Sequence, residues 1–262
     1  LGHAVQDFLQ PQRIVVGVRS DRDRQTLTEL LSPLTDLIEW MSVEAAEMTK
    51  HAINAFLAAS VVFANEIASL CESVGVAAKE VERGLKSDRR IGPRAYLAPG
   101  AAFSGGTLAR DVAFLNGIAR ESRVPTPLLS AILPSNELHK SWVKRHLPDL
   151  AGVTVAVWGL AYKPGTDTLR RSLAVELCDW MIGEGATVRV HDPLVKELPP
   201  HWAGVITRYA DPAEALQGAA VLVVATEWPD YRSVAIPEQL VVLDANRFLT
   251  ATGPKYFAVG SG

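Results

Sequence analysis

A lysine and an amide, Lys50 and Asn54, stand four residues apart in a long apolar stretch. In a helix they share a face, and a lysine and an amide turned to one cleft can orient an alkoxide or a water. A pair on a solvated helix surface has the same spacing, so spacing alone leaves both readings open. A second candidate is Arg90 to Asp111, R-I-G-P-R-A-Y-L-A-P-G-A-A-F-S-G-G-T-L-A-R-D. Glycines and prolines around Phe103 suit a shaped loop that comes close to a ligand. A plain connection is the alternative, although the stretch is long for one. A third is Gly159-Leu160-Ala161-Tyr162-Lys163-Pro164-Gly165, with Arg170 and Arg171 following. Cations ahead of a helix N-terminus attract a phosphate-bearing ligand; ordinary surface charge is the alternative. This loop lacks the G-x-G-x-x-G dinucleotide spacing. No His, Cys, Asp or Glu cluster has metal-ligand spacing, and no G-x-S-x-G or Cys/His dyad stands out.

The elements that must position these groups fall into three parts. Arg13–Val18 and Leu37–Met41 read as short strands around a helix at Asp23–Leu31, for which Asp21 is a suitable cap. A strand, a helix and a strand enclose no core, so residues 1–41 read as the tail of a domain. From Ser42 to Val74 the pattern is one long helix, capped by Ser42 and stopped by Gly75. Its middle is apolar nearly all round, as in a helix buried against others or against a second subunit. Further helices are expected at Val76–Leu85, Leu108–Glu121 and Thr126–His146, making residues 42–147 all-α. After Pro148 short apolar strands alternate with helices. Strands are expected at Val153–Trp158, Thr187–Val190, Gly204–Thr207, Val221–Ala225 and Val241–Asp244, and helices at Leu169–Ile182 and Pro212–Leu216. Residues 148–262 therefore read as a doubly wound, Rossmann-like parallel sheet, and the fold class as α/β. Its ligand belongs at the carboxyl ends of the strands.

Composition sets outer bounds. The chain has 262 residues, 48 % hydrophobic and 21 % charged, enough to bury a core. A net charge of -3 gives no basic footprint for nucleic acid. Two cysteines, Cys71 and Cys178, are too few for a disulfide scaffold and point to a reducing, cytoplasmic setting. No uninterrupted apolar run reaches membrane-spanning length, so no membrane partner is expected.

Taken together, the motifs resemble those of the UDP-glucose/GDP-mannose dehydrogenase family. E-M-T-K-H-A-I-N-A-F-L (Glu47–Leu57) is similar to its central helix, and the Arg90–Asp111 stretch to its active-site loop. V-A-V-W-G-L-A-Y-K-P-G-T-D-T-L-R-R-S (Val153–Ser172) resembles the start of its UDP-binding domain. V-V-A-T-E-W-P-D-Y and V-V-L-D-A-N-R, from Val223 and Val241, resemble later motifs. The resemblance implies double oxidation of a UDP-sugar C6 alcohol to a carboxylate with NAD, for surface polysaccharide. It implies catalytic roles for Lys50, Asn54, Thr107 and Asp111, and substrate contacts from Tyr96, Gly100, Phe103, Lys163 and Arg247. Arg90 is expected to reach the sugar nucleotide of the other subunit, in a homodimer built on the 42–74 helix. Arg110 and Arg170 are expected on the cofactor side.

Two departures from the family pattern carry consequences. Thr107 stands where the family has its nucleophilic cysteine, and an unassisted hydroxyl is a weak nucleophile. The glycine-rich NAD-binding domain is missing, and residues 1–41 resemble its last strands. The chain is thus expected to be part of a longer enzyme, or a degenerate relative that binds a UDP-sugar as a dimer without redox chemistry. An independent NAD-binding protein with Asp192 on the ribose is a further alternative.

Overall fold

The computed structural model describes residues 4–147, 149–250 and 255–261. Pro148, where the sequence changes character, lies outside the described residues. The chain opens with α1 (Ala4–Leu9), β1 (Ile14–Gly17), α2 (Asp21–Leu31) and β2 (Ile38–Met41). Ser20 caps α2 by accepting the Asp23 N–H at 3.1 Å; Asp21, expected as the cap, is the helix's first residue. β1 and β2 pair in parallel, Ile14 opposite Ile38. Every residue of β1 is only half-buried, whereas parallel strands are ordinarily covered on both faces. Among the described residues, no core cluster draws on this unit.

The helical part is organised by α3 (Val43–Val74), 32 residues long. Ser42 accepts the Ala45 N–H, and Gly75, at φ 71°, closes the other end in the left-handed conformation that glycine adopts without strain. Its buried face is built from small residues, among them Ala55, Ala58, Ala64 and Ala68. That lets α5 (Thr107–Glu121) and α6 (Pro127–Lys140) pack closely on it, with α4 (Ala78–Ser87) at its far end. The expected helix at 126–146 is instead two, α6 and α7 (Trp142–His146). At Ser141 the N–H turns back to Leu138 and the next helix starts afresh, with Arg145 bonded to the Ser141 carbonyl. By length and composition α3 does qualify as a membrane span, because interruptions such as Asn54 do not lower the average enough. In this fold it is the central helix, with Ala58 and Ala68 fully buried.

The α/β part contains β3 (Thr154–Trp158), α8 (Leu173–Gly183), β4 (Thr187–His191), β5 (Thr207–Arg208), α9 (Pro212–Leu216), β6 (Val221–Val224), β7 (Val241–Leu243) and β8 (Tyr256–Phe257). The sheet is wholly parallel in the order β5-β4-β3-β6-β7-β8. Chain order rises outward in both directions from β3 and β6, which is the doubly wound topology expected. Valine-rich strands fit a sheet covered on both faces. Some boundaries move. α8 begins at Leu173, because Ser172 caps it by accepting the Ala174 N–H. The weak strand expected at Gly204–Thr207 lies at Thr207–Arg208, and β8 was not expected.

The helical and α/β parts share one core. Ala68, Cys71 and Ala78 pack in the same cluster as Trp142, Leu177, Val223 and Val259. Glu72 accepts both the Trp142 indole N–H at 3.0 Å and the Gly260 N–H at 2.6 Å. Within the sheet, Gly159 ends β3 at φ 87°, and a Cβ there would lie 2.7 Å from the Thr226 nitrogen and 2.8 Å from its Cα. Neither obstacle is a flexible side chain. Gly159→Ala is therefore expected to lower stability by roughly 2–3 kcal/mol, read from urea unfolding. An unchanged midpoint would refute the close approach of the β3 and β6 ends.

Candidate functional site

Asp111 lies on the first turns of α5 and is 1 % exposed. A buried carboxylate needs partners, and α3 supplies them. Lys50 Nζ stands 2.6 Å from Asp111 Oδ2, and the Asn54 amide donates to the same oxygen. Lys50 and Asn54 thus share a helix face turned towards α5, where both bond one carboxylate oxygen. On the other side, His51 Nδ1 lies 3.3 Å from Oδ1, close but not aligned for a hydrogen bond, its ring against Phe114. Arg110 Nε is 3.7 Å from Oδ1. Burial alone would raise the Asp111 pKa; Lys50 and Asn54 outweigh it and hold the carboxyl at about 2. The Lys50 side chain remains 54 % exposed. The cluster therefore presents a fixed ammonium and an oriented amide to solvent, suited to a developing oxyanion or a water.

Thr107, the first residue of α5, is exposed and one helical turn from Asp111. Neither cysteine can replace it. Cys71 is buried 21 residues along α3 from Lys50, roughly 30 Å away. Cys178 is fully buried in α8, and burial pushes its thiol pKa up.

A second element of the site opens at the carboxyl ends of β3 and β6, the point where the sheet reverses its winding and ligands of such folds bind. A cavity of about 340 Å³ there is lined by Tyr96, Phe103, Tyr162, Lys163, Ser172 and Asn246, among others. Asp192 shapes the loop beneath it. This fully buried carboxylate accepts five N–H groups, from Leu160, Ala161, Leu194, Val195 and the Trp228 indole. It has no capacity left for a ribose, and with the glycine fingerprint absent this domain does not fit a dinucleotide in the usual way. The reading of Asp192 as a ribose ligand is corrected accordingly.

The stretch from 100 to 106 joins cleft and cluster. Phe103 lines the cleft and also packs against the core of Ala55, Val112 and Ile132 beside the Asp111 cluster. Its backbone is held by side chains. Asn65 accepts the Gly100 N–H at 2.9 Å, Asn136 bonds both the N–H and C=O of Phe103 at 3.0 Å, and His139 Nε2 donates to the Gly100 carbonyl at 2.8 Å. Burial lowers the His139 pKa, which favours this neutral form.

Lys50, Asn54 and Asp111 thus come together, as do Tyr96, Phe103 and Lys163. Gly100 lies against Asn246. Arg90 is exposed and paired with Asp88 in two hydrogen bonds, and Arg170 is exposed on the loop before α8. Arg247 does not line the cleft; Asn246 beside it does, while Arg247 turns through φ 53°. His51 and Asn246 were not anticipated; their adjacency to Lys50 and Arg247 was the available signal.

The chain thus joins a helical domain to a doubly wound α/β domain whose cleft, at the switch point of the sheet, is lined by Lys163 and by a loop strapped to the helices. The central-domain model of the UDP-glucose/GDP-mannose dehydrogenase family matches residues 44–138, and that family's UDP binding domain matches residues 156–251. The chain belongs to this family. It is 31 % identical to a UDP-glucose 6-dehydrogenase of Rickettsia bellii over 99 % of this chain and 64 % of that one. With one of Pseudomonas aeruginosa it shares 35 % identity over 88 % of this chain and 54 % of the relative. A solved UDP-glucose dehydrogenase of the archaeon Pyrobaculum islandicum superposes with TM-score 0.86 at 30 % identity, covering 98 % of this chain and 60 % of that structure. The chain therefore spans less than two thirds of the length of these relatives.

The Asp111 carboxyl yields a stability test. Its native pKa is held near 2, against about 3.9 for an ordinary aspartate. Its contribution is therefore full above about pH 4 and is lost as pH falls towards 2. Asp111→Asn should cost about 1–3 kcal/mol at pH 7 and erase that part of the acid dependence. Parallel urea-midpoint profiles for wild type and variant across pH 2–5 would contradict the pairing.

Proposed function

We propose that this chain forms the sugar-nucleotide-binding and oxyanion-orienting part of a UDP-sugar 6-dehydrogenase of the UDP-glucose type. The observation that carries this is the single loop, 100–106, that places Phe103 in the α/β cleft while anchoring it beside the Lys50–Asn54–Asp111 cluster. Lys163 meets the diphosphate, and Tyr96, Gly100 and Phe103 shape the sugar and uridine end. Asp111 acts by fixing Lys50 and Asn54, whose ammonium and amide face the C6 oxygen. NAD is the oxidant of the whole protein, with Arg110 and Arg170 on its side. The described residues do not form its cradle.

Thr107 bears on the product. Both Asp111 oxygens face other partners, Oδ2 bonded to Lys50 and Asn54 and Oδ1 beside His51 and Arg110. With its pKa held at about 2, Asp111 is a weak base for the Thr107 hydroxyl. The cluster thus favours oxidation to the aldehyde, with the acid reached only through the aldehyde hydrate. The same feature favours a second reading, a UDP-sugar-binding dimer without redox turnover. In either case we assign a homodimer to the stripe of Phe56, Phe63, Leu70 and Val74 that α3 leaves exposed, with Arg90 directed to the partner's ligand, in a cytoplasmic protein serving polysaccharide synthesis.

Titration calorimetry of this chain with UDP is expected to give micromolar binding, weakened about tenfold by Lys163→Ala; no heat with wild type would reject the cleft assignment. With UDP-glucose and NAD, the whole protein is expected to yield one NADH per sugar. Two would mean the acid forms despite Thr107, and none would favour the binding protein.

A further inference from the structure

The 100–106 stretch is held from two domains at once. Asn65, Asn136 and His139 grip it from the helical side. From the α/β side it receives a backbone bond, Gly105 N–H to the Arg171 carbonyl at 3.1 Å, and a side-chain bond across 145 residues of sequence. In the latter, Asn246 Oδ1 accepts the Ala101 N–H at 2.7 Å. The contact is tight. The three atoms that a Cβ on Gly100 would meet first all belong to Asn246: its Oδ1, then Cγ at 3.4 Å and Cα at 3.8 Å. Gly100 cannot retreat, because its own N–H is bonded to Asn65 and its carbonyl to His139. Asn246 also lines the cleft beside Ala101, Phe103 and Lys163.

We propose that Asn246 is a positioning residue that latches the α/β domain onto the loop, so that the cleft takes its ligand-binding shape only while the Asn246–Ala101 bond is made. The proposal rests on the reading of this cleft as the nucleoside-diphosphate-sugar site. The latch works through a short neutral side chain. Its carboxamide oxygen fixes the Ala101 backbone, and its small volume leaves room only for glycine at position 100. A ligand that touches both Lys163 and the loop therefore binds a preformed surface rather than ordering one, which preserves affinity.

The test is a double-mutant cycle of Asn246→Ala and Gly100→Ala, read by amide hydrogen exchange at Ala101 and by UDP affinity, with melting temperature as the control. Asn246→Ala removes the acceptor; Gly100→Ala displaces it from the other side. Each single variant is expected to speed exchange at Ala101 and weaken UDP binding about fivefold to tenfold, the loss of one ordering hydrogen bond, with melting within a few degrees of wild type. The double variant should be no worse than either single one, since the methyl group then enters the space the amide has left. Unchanged exchange at Ala101 in Asn246→Ala overturns the latch, as does full additivity, which two independent packing defects would show. Faster exchange with unaltered UDP affinity also overturns it, because the bond would then not shape the cleft. If wild type does not bind UDP, the reading of the cleft falls, while the exchange cycle still decides whether the latch exists.

Discussion

The arrangement depends on one buried negative charge. Asp111 has almost no contact with water, and an unpaired carboxylate there would be prohibitively costly. Its compensation comes from Lys50 and Asn54, one turn apart on a different helix. Two bonds to one oxygen fix both the separation of α3 and α5 and their axial register, since a shift of one residue on either helix would turn a donor away. The small residues on the buried face of α3 serve the same end by letting α5 approach. The pairing is thus structural and chemical together: it stabilises the helical domain and leaves an ammonium partly exposed at a defined point.

Beside the shared core, the segment 100–106 also touches the α/β domain; it has no regular structure, and its backbone polar groups need partners all the same. Asn65, Asn136, His139 and Asn246 supply them, three from the helices and one from the end of β7's loop. Side chains that bond both N–H and C=O of one residue, as Asn136 does at Phe103, do for a loop what a neighbouring strand does for a strand. A loop tied in this way is rigid, and Thr107, the first residue of the helix it leads into, inherits its placement.

Much of this was legible in the sequence. The long capped helix, the alternation after residue 150 and the pairing of Lys50 with Asn54 rest on local signals: a cap, a period, a four-residue spacing. The burial of Asp192 beneath the β3 loop was not legible, because its five donors are spread between residues 160 and 228. Asn246 was passed over for Arg247 because charge is conspicuous in a sequence and a backbone acceptor is not; the partner that gives Asn246 its role is 145 residues away. The break at Ser141 was missed for a different reason. The apolar pattern runs through it, and only the turn of its N–H back to Leu138 separates the two helices.

The same accounting explains why a hydroxyl at the start of α5 is a poor substitute for a thiol. A thiol ionises by itself near pH 8.5, whereas a hydroxyl must hand its proton to a neighbour. The nearest carboxylate in sequence on that helix face is Asp111, and the features that make it tolerable in the interior also strip it of basicity. Lys50 and Asn54 hold its pKa at about 2, so at neutral pH it takes up almost no protons. A site can use Asp111 to aim a lysine or to activate a threonine, but the observed geometry commits it to the first. Proton uptake by Asp111 would weaken the pair on which the register of the two helices rests.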